Sequence, residues 1–137
     1  MRAVLDPNVL ISALLAPAGS PAKALRAWLH GAYELIVSPL LLTELERALA
    51  YPKLRARVTS QEAAELLDLL RRLAEVLPDP ESWSGIGSPD PGDDYLIALA
   101  ATAGALLVSG DSHLLRLSGK LPVCSPAAFL ERIGSPS

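Results

Sequence analysis

The sequence predicts an α/β fold in which a central, mostly parallel β-sheet carries helices on both faces. Short apolar runs alternate with amphipathic helical segments, the pattern of strands joined by right-handed helical crossovers. From Asp90 to Asp111, a helix apolar on nearly every side leads into a short apolar strand. Such a pair belongs in the middle of a layered structure, not at its rim. At 137 residues, half of them hydrophobic, the chain has the size of one ordinary domain around one core.

In chain order, Arg2 to Leu5 is a buried first strand ending in the turn-forming triplet Asp6-Pro7-Asn8, which sets an aspartate at its carboxyl end. Val9 to Leu15 is a short helix broken by Pro17. Ser20-Pro21 supplies an N-cap with proline at the first helical position. The helix it opens has Ala24, Leu25, Trp28 and Leu29 on its apolar side and Lys23, Arg26 and His30 on or near another, and Gly31 ends it. Tyr33 to Val37 is a second strand, and Ser38-Pro39 caps a helix running to about Ala50, stopped by Tyr51-Pro52. Thr59-Ser60-Gln61-Glu62 opens a further helix with Leu66, Leu67, Leu70 and Leu73 on its apolar side and Arg71 and Arg72 near its end, where cations suit the macrodipole. Glu75 to Leu77 is a short third strand.

Pro78 to Pro91, rich in proline, glycine and small polar residues, is a loop. The central helix follows, with Asp90 as N-cap and Pro91 as its first residue, and Gly104 stops it. Ala105 to Ser109 is the fourth strand, ending in a tight Gly110-Asp111 turn. A turn or short helix runs through Leu117, a last strand lies around Pro122 to Cys124, and a helix from Pro126 to Ile133 closes the chain. Neither internal repeats nor low-complexity tracts are present.

A formal net charge of -3 argues against a protein that coats nucleic acid by bulk electrostatics, while allowing a local basic patch. The basic residues concentrate between Lys23 and Arg72. Lone Cys124, in an apolar segment, cannot form an internal disulfide and reads as a core residue in a reducing compartment. Asp6, Pro7 and Asn8 interrupt the apolar N-terminus before a signal-peptide core or membrane span can form, so no membrane association and a cytoplasmic location are expected.

Ligand sites of open α/β sheets lie beyond the carboxyl ends of the strands, where the strand order reverses. Asp6 follows the first strand and Asp111 the fourth; if those strands are neighbours, their carboxylates face one another. Asp94, in the opening turn of a helix that leads into the fourth strand, starts at the same edge. Two carboxylates about 4 Å apart repel by about 4 kcal/mol at an effective dielectric of 20, a large share of a stability of about 5 to 15 kcal/mol. No Lys or Arg occurs between Arg72 and Arg116 to offset this. Oxygen-only donors suit Mg²⁺ or Mn²⁺, whereas zinc would want His or Cys, and His30, His113 and Cys124 show no ligand spacing. A carboxylate-held Mg²⁺ suits phosphodiester hydrolysis.

Three stretches, LDPNVLISALL, SPLLLTELERALAYPKLR and SPDPGDDYLIALAATAGALLVSGDSHLL, together resemble the PIN-domain family, magnesium-dependent ribonucleases that include many toxins of toxin–antitoxin pairs. The resemblance implies one PIN-like domain over residues 1–137, an RNA substrate and a cognate antitoxin protein. It also implies catalytic, metal-holding acids at Asp6, Glu44, Asp94 and Asp111, with Asn8 and Ser109 supporting them by hydrogen bonds. Periodicity alone does not single out Glu44, because Glu44 and Glu46 flank the stripe of Leu41, Leu45, Ala48 and Leu49 about equally. Nor does it separate Asp93 from Asp94; Asp94 is taken as the ligand, with Asp90 and Asp93 as capping or supporting groups. Two departures from the family pattern are Pro7, which removes a backbone donor, and His113, where an acid is common.

Lys53, Arg55 and Arg57 are either a solvated surface or a phosphate-contacting rim that positions RNA without reading bases. Trp28 reads as core; Trp83 is left open between stacking and packing. A homodimer or higher oligomer is compatible with the sequence, and nothing in it selects one. Other function classes compete. A phosphoacceptor receiver domain also has an acidic Mg²⁺ pocket, but usually shows paired acids after its first strand and a lysine ending its last, whereas Asp6 stands alone and Lys120 precedes the last strand. A non-catalytic PIN-like binding module would not need all of these acids.

Overall fold

The structure, a computed structural model, describes residues 1–80 and 94–134. Its elements are β1 (Arg2–Leu5), α1 (Pro7–Leu15), α2 (Ser20–Leu29), β2 (Glu34–Val37), α3 (Pro39–Leu49), α4 (Pro52–Arg55), α5 (Ser60–Leu73) and β3 (Glu75–Val76). They continue with α6 (Asp94–Ala103), β4 (Leu106–Val108), α7 (Ser112–Leu115), β5 (Val123–Cys124) and α8 (Pro126–Arg132). The strands form one sheet in the order β3-β2-β1-β4-β5, and every pairing is parallel. The order reverses between β1 and β4. Crossovers of one hand that leave β1 in opposite directions must place their helices on opposite faces.

Burial follows from this topology. Ala3 to Leu5 in β1 and Leu107 and Val108 in β4 are buried, as are Tyr95 to Ala100 on consecutive positions of α6, which packs on both strands. The reading of this helix as apolar all round, hence central, is borne out. α1 and α2 pack on one another, and α2 meets α8. There Tyr33 and Phe129 meet edge to face with ring centroids 4.8 Å apart, and the Tyr33 hydroxyl donates to the Ala24 carbonyl at 2.7 Å. Trp28 and Cys124 lie in the core, as expected.

Caps set most helix starts. Ser38 accepts from Leu41 N ahead of α3, and Thr59 and Glu62 exchange hydrogen bonds as a capping box at α5. Three details correct the sequence reading. The N-cap of α2 is Gly19, without a side-chain cap bond, rather than Ser20; proline is as well accommodated at the second helical position as at the first, so the helix gains a residue. Pro52 ends α3 but also starts α4, which the reading passed over, because the residue that cannot sit inside a helix is well suited to its first turn. Leu29 and Leu73 are exposed rather than buried, Leu73 by 58%; each sits at its helix's last residue, where the turn of a short stripe carries it off the core. Glu81 to Asp93, including Trp83, Asp90, Pro91 and Asp93, lie outside the described residues.

Gly104 ends α6 at φ 63° with open space around the position a Cβ would take. Its requirement is therefore conformational and not steric crowding by neighbours. Gly104→Ala is expected to lower stability by about 1 kcal/mol, the cost of left-handed backbone for an L-residue less a gain from the unfolded chain. Gly119→Ala, equally open but without positive φ, should stay within about 0.5 kcal/mol of the parent. Urea midpoints of the two variants check this.

Candidate functional site

Register places the site. Leu5 pairs with Val108, so the next residues, Asp6 and Ser109, leave adjacent strands side by side. Asp6 N donates to the Val108 carbonyl at 3.0 Å, continuing the ladder by one step. The Asp6 side chain is buried, 5% exposed, and both its oxygens are engaged. Oδ1 accepts from Asn8 N at 2.9 Å, capping α1, and Oδ2 accepts from the Ser109 hydroxyl at 2.9 Å. Ser109 Oγ in turn accepts from Asp111 N at 3.0 Å. One buried hydroxyl thus ties the ends of β1 and β4 to the start of the next turn.

Asp111, partly exposed, caps α7 by accepting from His113 N at 2.8 Å through Oδ1. Glu44 stands half-buried on α3 and accepts from the Tyr95 hydroxyl at 2.7 Å. Burial raises the Asp6 pKa above its ordinary value; the Asn8 and Ser109 hydrogen bonds oppose that, and the negative charges of Asp111 and Glu44 push it up further. Asp6, Glu44 and Asp111 therefore share one electrostatic environment, and among the described residues no cation counters the charge on Asp6. The oxygen-only donor set fits a hard divalent cation in chemistry. Among the described residues, no three His, Cys, Asp or Glu side chains already stand close enough to hold one.

Asp94 is the first residue of α6; its side chain, like all of Asp90 and Asp93, is outside what is described. Asn8 supports Asp6 through its backbone N–H, and the residue itself is exposed. Pro7 occupies the first position of α1, so the Asn8 amide is the donor offered to the carboxylate. Lys53, Arg55 and Arg57 are exposed beyond the far end of α3, and Arg55 bonds Ser60 at the start of α5. Among the described residues, no hydrogen bond or ion pair joins that basic run to the acids. Two contributors escaped the sequence reading. Asp79 accepts from Leu40 N at 2.9 Å, fixing the start of α3. Tyr95 holds Glu44, and its only signal in sequence was a hydroxyl in an otherwise aliphatic helix.

A cleft of about 320 Å³ adjoins this edge, with Asn8, Ser12, Gly110 and Asp111 in its wall. A larger hollow of about 520 Å³, between Met1, Trp28, Glu34 and Glu75, lies at the amino edge of the sheet. Parallel sheets bind ligands at the carboxyl edge, which favours the smaller cleft.

The family model for the PIN domain matches residues 2–113, a span that contains Asp6, Glu44, Asp94 and Asp111. The chain belongs to the PIN-domain family. The family is one of nucleases, so membership replaces the receiver-domain alternative. The uncharacterised protein MJ1680 of Methanocaldococcus jannaschii is 28% identical over 149 aligned positions, covering 96% of this chain and 90% of that protein. Among solved structures, this PIN domain is similar to PAE2754 from Pyrobaculum aerophilum, with a TM-score of 0.66 and 19% identity over 99% of this chain and 97% of that one. It is also similar to VapBC2 from Rickettsia felis bound to a DNA fragment from its promoter, with a TM-score of 0.65 and 17% identity over 91% and 98% of the two chains. FitAcB from Neisseria gonorrhoeae matches with a TM-score of 0.57 and 21% identity over 91% and 98%. These three likenesses are of fold. Among the described residues, no helix is long and apolar enough to cross a membrane.

A raised folded pKa at Asp6 means that the folded state holds this proton more tightly than the unfolded chain. Its contribution to stability is complete below the ordinary carboxylate value of 3.8 and is lost as pH climbs through the raised folded value. The stability of the metal-free parent relative to Asp6→Asn should therefore fall over that interval and level off above it. Denaturant midpoints at a series of pH values in EDTA check this; a difference that grows with pH would contradict the assigned environment.

Proposed function

We propose that this PIN domain is a Mg²⁺- or Mn²⁺-dependent endoribonuclease and the toxin of a toxin–antitoxin pair, formed by one domain over the whole chain and acting in the cytoplasm. The observation that carries the reading is the buried Asp6 carboxylate, locked to Ser109 at the strand-order reversal and pressed by the charges of Asp111 and Glu44, with no countering cation among the described residues. Asp6, Glu44, Asp94 and Asp111 are assigned as the ligand set. A divalent cation held there would supply an activated water and offset charge on the phosphodiester. Ser109 orients Asp6 and the α7 cap aims Asp111, so both carboxylates would be presented to a cation already ordered. Asp90 and Asp93 are retained as supporting acids. The antitoxin partner is taken from the family resemblance to toxins of toxin–antitoxin pairs, and the fold shared with VapBC2 and FitAcB is consistent with it. Lys53, Arg55 and Arg57 are assigned to RNA phosphates.

Cleavage of a single-stranded RNA should require Mg²⁺ or Mn²⁺ and stop with EDTA. Asp6→Asn, Glu44→Gln, Asp94→Asn and Asp111→Asn should each lower kcat by about 100-fold or more, the scale of lost electrostatic stabilisation at a reacting centre. A gel assay with an RNA and a DNA oligonucleotide of one sequence tests both points. Uncut RNA at saturating Mn²⁺ would sink the reading in favour of a non-catalytic binding module.

Replacing exposed Lys53 and Arg57 together with alanine should weaken RNA binding and reduce the salt dependence of log Kd by about 1.4, two single-strand phosphate contacts. Fluorescence anisotropy across a salt series, with Asp6→Asn as background to prevent cleavage, reads the slope. An unchanged slope returns these residues to ordinary solvated surface.

A further inference from the structure

We infer that Tyr95 is a positioning residue of this site: its buried phenol fixes the Glu44 carboxylate and ties α3 to the start of the helix that carries Asp94. The inference rests on the proposed ligand set of Asp6, Glu44, Asp94 and Asp111. The Tyr95 hydroxyl donates to Glu44 Oε2 at 2.7 Å across 51 residues of sequence, and the tyrosine is only 2% exposed. A short bond to a charged acceptor is among the stronger hydrogen bonds a side chain makes. It also joins elements that the sheet holds apart. α3 grows from β2 and α6 leads into β4, and those strands flank β1 on opposite sides.

Rigidity makes the tyrosine suitable. Its ring turns about only two bonds and is clamped in the core, whereas a half-exposed glutamate has three torsions to order. With the phenol in place, the carboxylate is ordered on folding and not on cation binding, so less is lost when the cation arrives. Tyr95 adjoins Asp94 in the same helical turn, so one backbone segment sets the Asp94 Cα and anchors Glu44 together. Packing alone does not account for the hydroxyl. The next positions of α6 are Leu96, Ile97, Ala98, Leu99 and Ala100, all buried and all without a polar atom in the side chain.

The test takes the full chain with Mn²⁺ alone as the probe, and compares the parent, Tyr95→Phe, Glu44→Gln and the double variant by calorimetry. Tyr95→Phe should weaken Mn²⁺ binding about 10-fold, the lower end of the effect of removing a group that orients a metal ligand. Glu44→Gln should weaken it at least as much. The double variant should match Glu44→Gln if the tyrosine acts on Mn²⁺ binding through that carboxylate. On RNA, Tyr95→Phe should lower kcat with KM little changed, and the metal-free melting temperature should stay within about 5 °C of the parent. Parental Mn²⁺ affinity in Tyr95→Phe, beside a weakened Glu44→Gln, overturns the positioning role and leaves the proposed function standing. Additive losses in the double variant, or a Tyr95→Phe chain that fails to fold, also overturn it, the latter in favour of a structural hydroxyl. Equal binding by the parent and Glu44→Gln, or none by the parent, removes the ligand set itself.

Discussion

The hydrogen bond between Ser109 and Asp6 joins the two strand ends around which the rest of the molecule is laid out. Asp6 is a carboxylate taken almost wholly out of water, and such a group is tolerated only where donors surround it. Here one donor is the first free amide of α1 and the other is the hydroxyl that follows β4. Both require β1 and β4 to be neighbours in the register observed, with Leu5 opposite Val108. A slip of one residue would turn Ser109 to the other face of the sheet and leave Asp6 buried against an apolar side chain. The buried polar pair therefore specifies register where β4, with three residues, could not do so strongly by itself.

The two edges of the sheet treat acidic residues differently. At the amino edge, Arg2 reaches Glu75 at 2.6 Å and Glu34 at 3.6 Å, and donates to the Ala103 carbonyl at the end of α6. Its own pKa is raised, first by the Glu75 hydrogen bond. At the carboxyl edge, Asp6 is influenced, among the described residues, by two further anions and by no cation. Among the described residues, the chain thus has an arginine that neutralises acids at the amino ends of strands and none that does so beside Asp6. Charge is thus neutralised at one edge and accumulates at the other, and a buried carboxylate perturbed in this way marks the carboxyl edge as the candidate functional side.

Much of the fold was legible because its signals are local. Apolar runs ending in Asp-Pro-Asn or Ser-Pro gave β1, β2 and the starts of α1 and α3 within a residue or two. Gly104 marked the end of α6 by the one backbone conformation that favours glycine. The reversal between β1 and β4 was stated only as a condition, since strand order depends on contacts far apart in sequence. Helix ends at Leu29 and Leu73 misled, because a periodic stripe does not say where the core stops covering it. In the site, Asp6 and Asp111 could be reached from strand ends, whereas Glu44 needed the family resemblance: helical periodicity places Glu44 and Glu46 alike. What separates them in space is Tyr95 on one side and Arg71 on the other, the latter 3.8 Å from Glu46. Neither partner is near them in sequence.

Reading an aspartate after a strand as either a turn-former or a ligand sets apart two roles that one geometry can serve. Asp6 caps α1 and Asp111 caps α7, each through Oδ1 and each accepting the amide two residues ahead. A side-chain cap contributes about 1 kcal/mol to its helix, so each aspartate is held for structural reasons alone. The same bond fixes the carboxylate plane, which is what a ligand needs before a cation arrives. Glu44 lies within a helix, where no cap can aim it, and there a buried phenol takes the place of the backbone amide. The fold thus orients these acids by the same contacts that terminate its strands and begin its helices, and the proposed ligand role would draw on that same set of bonds.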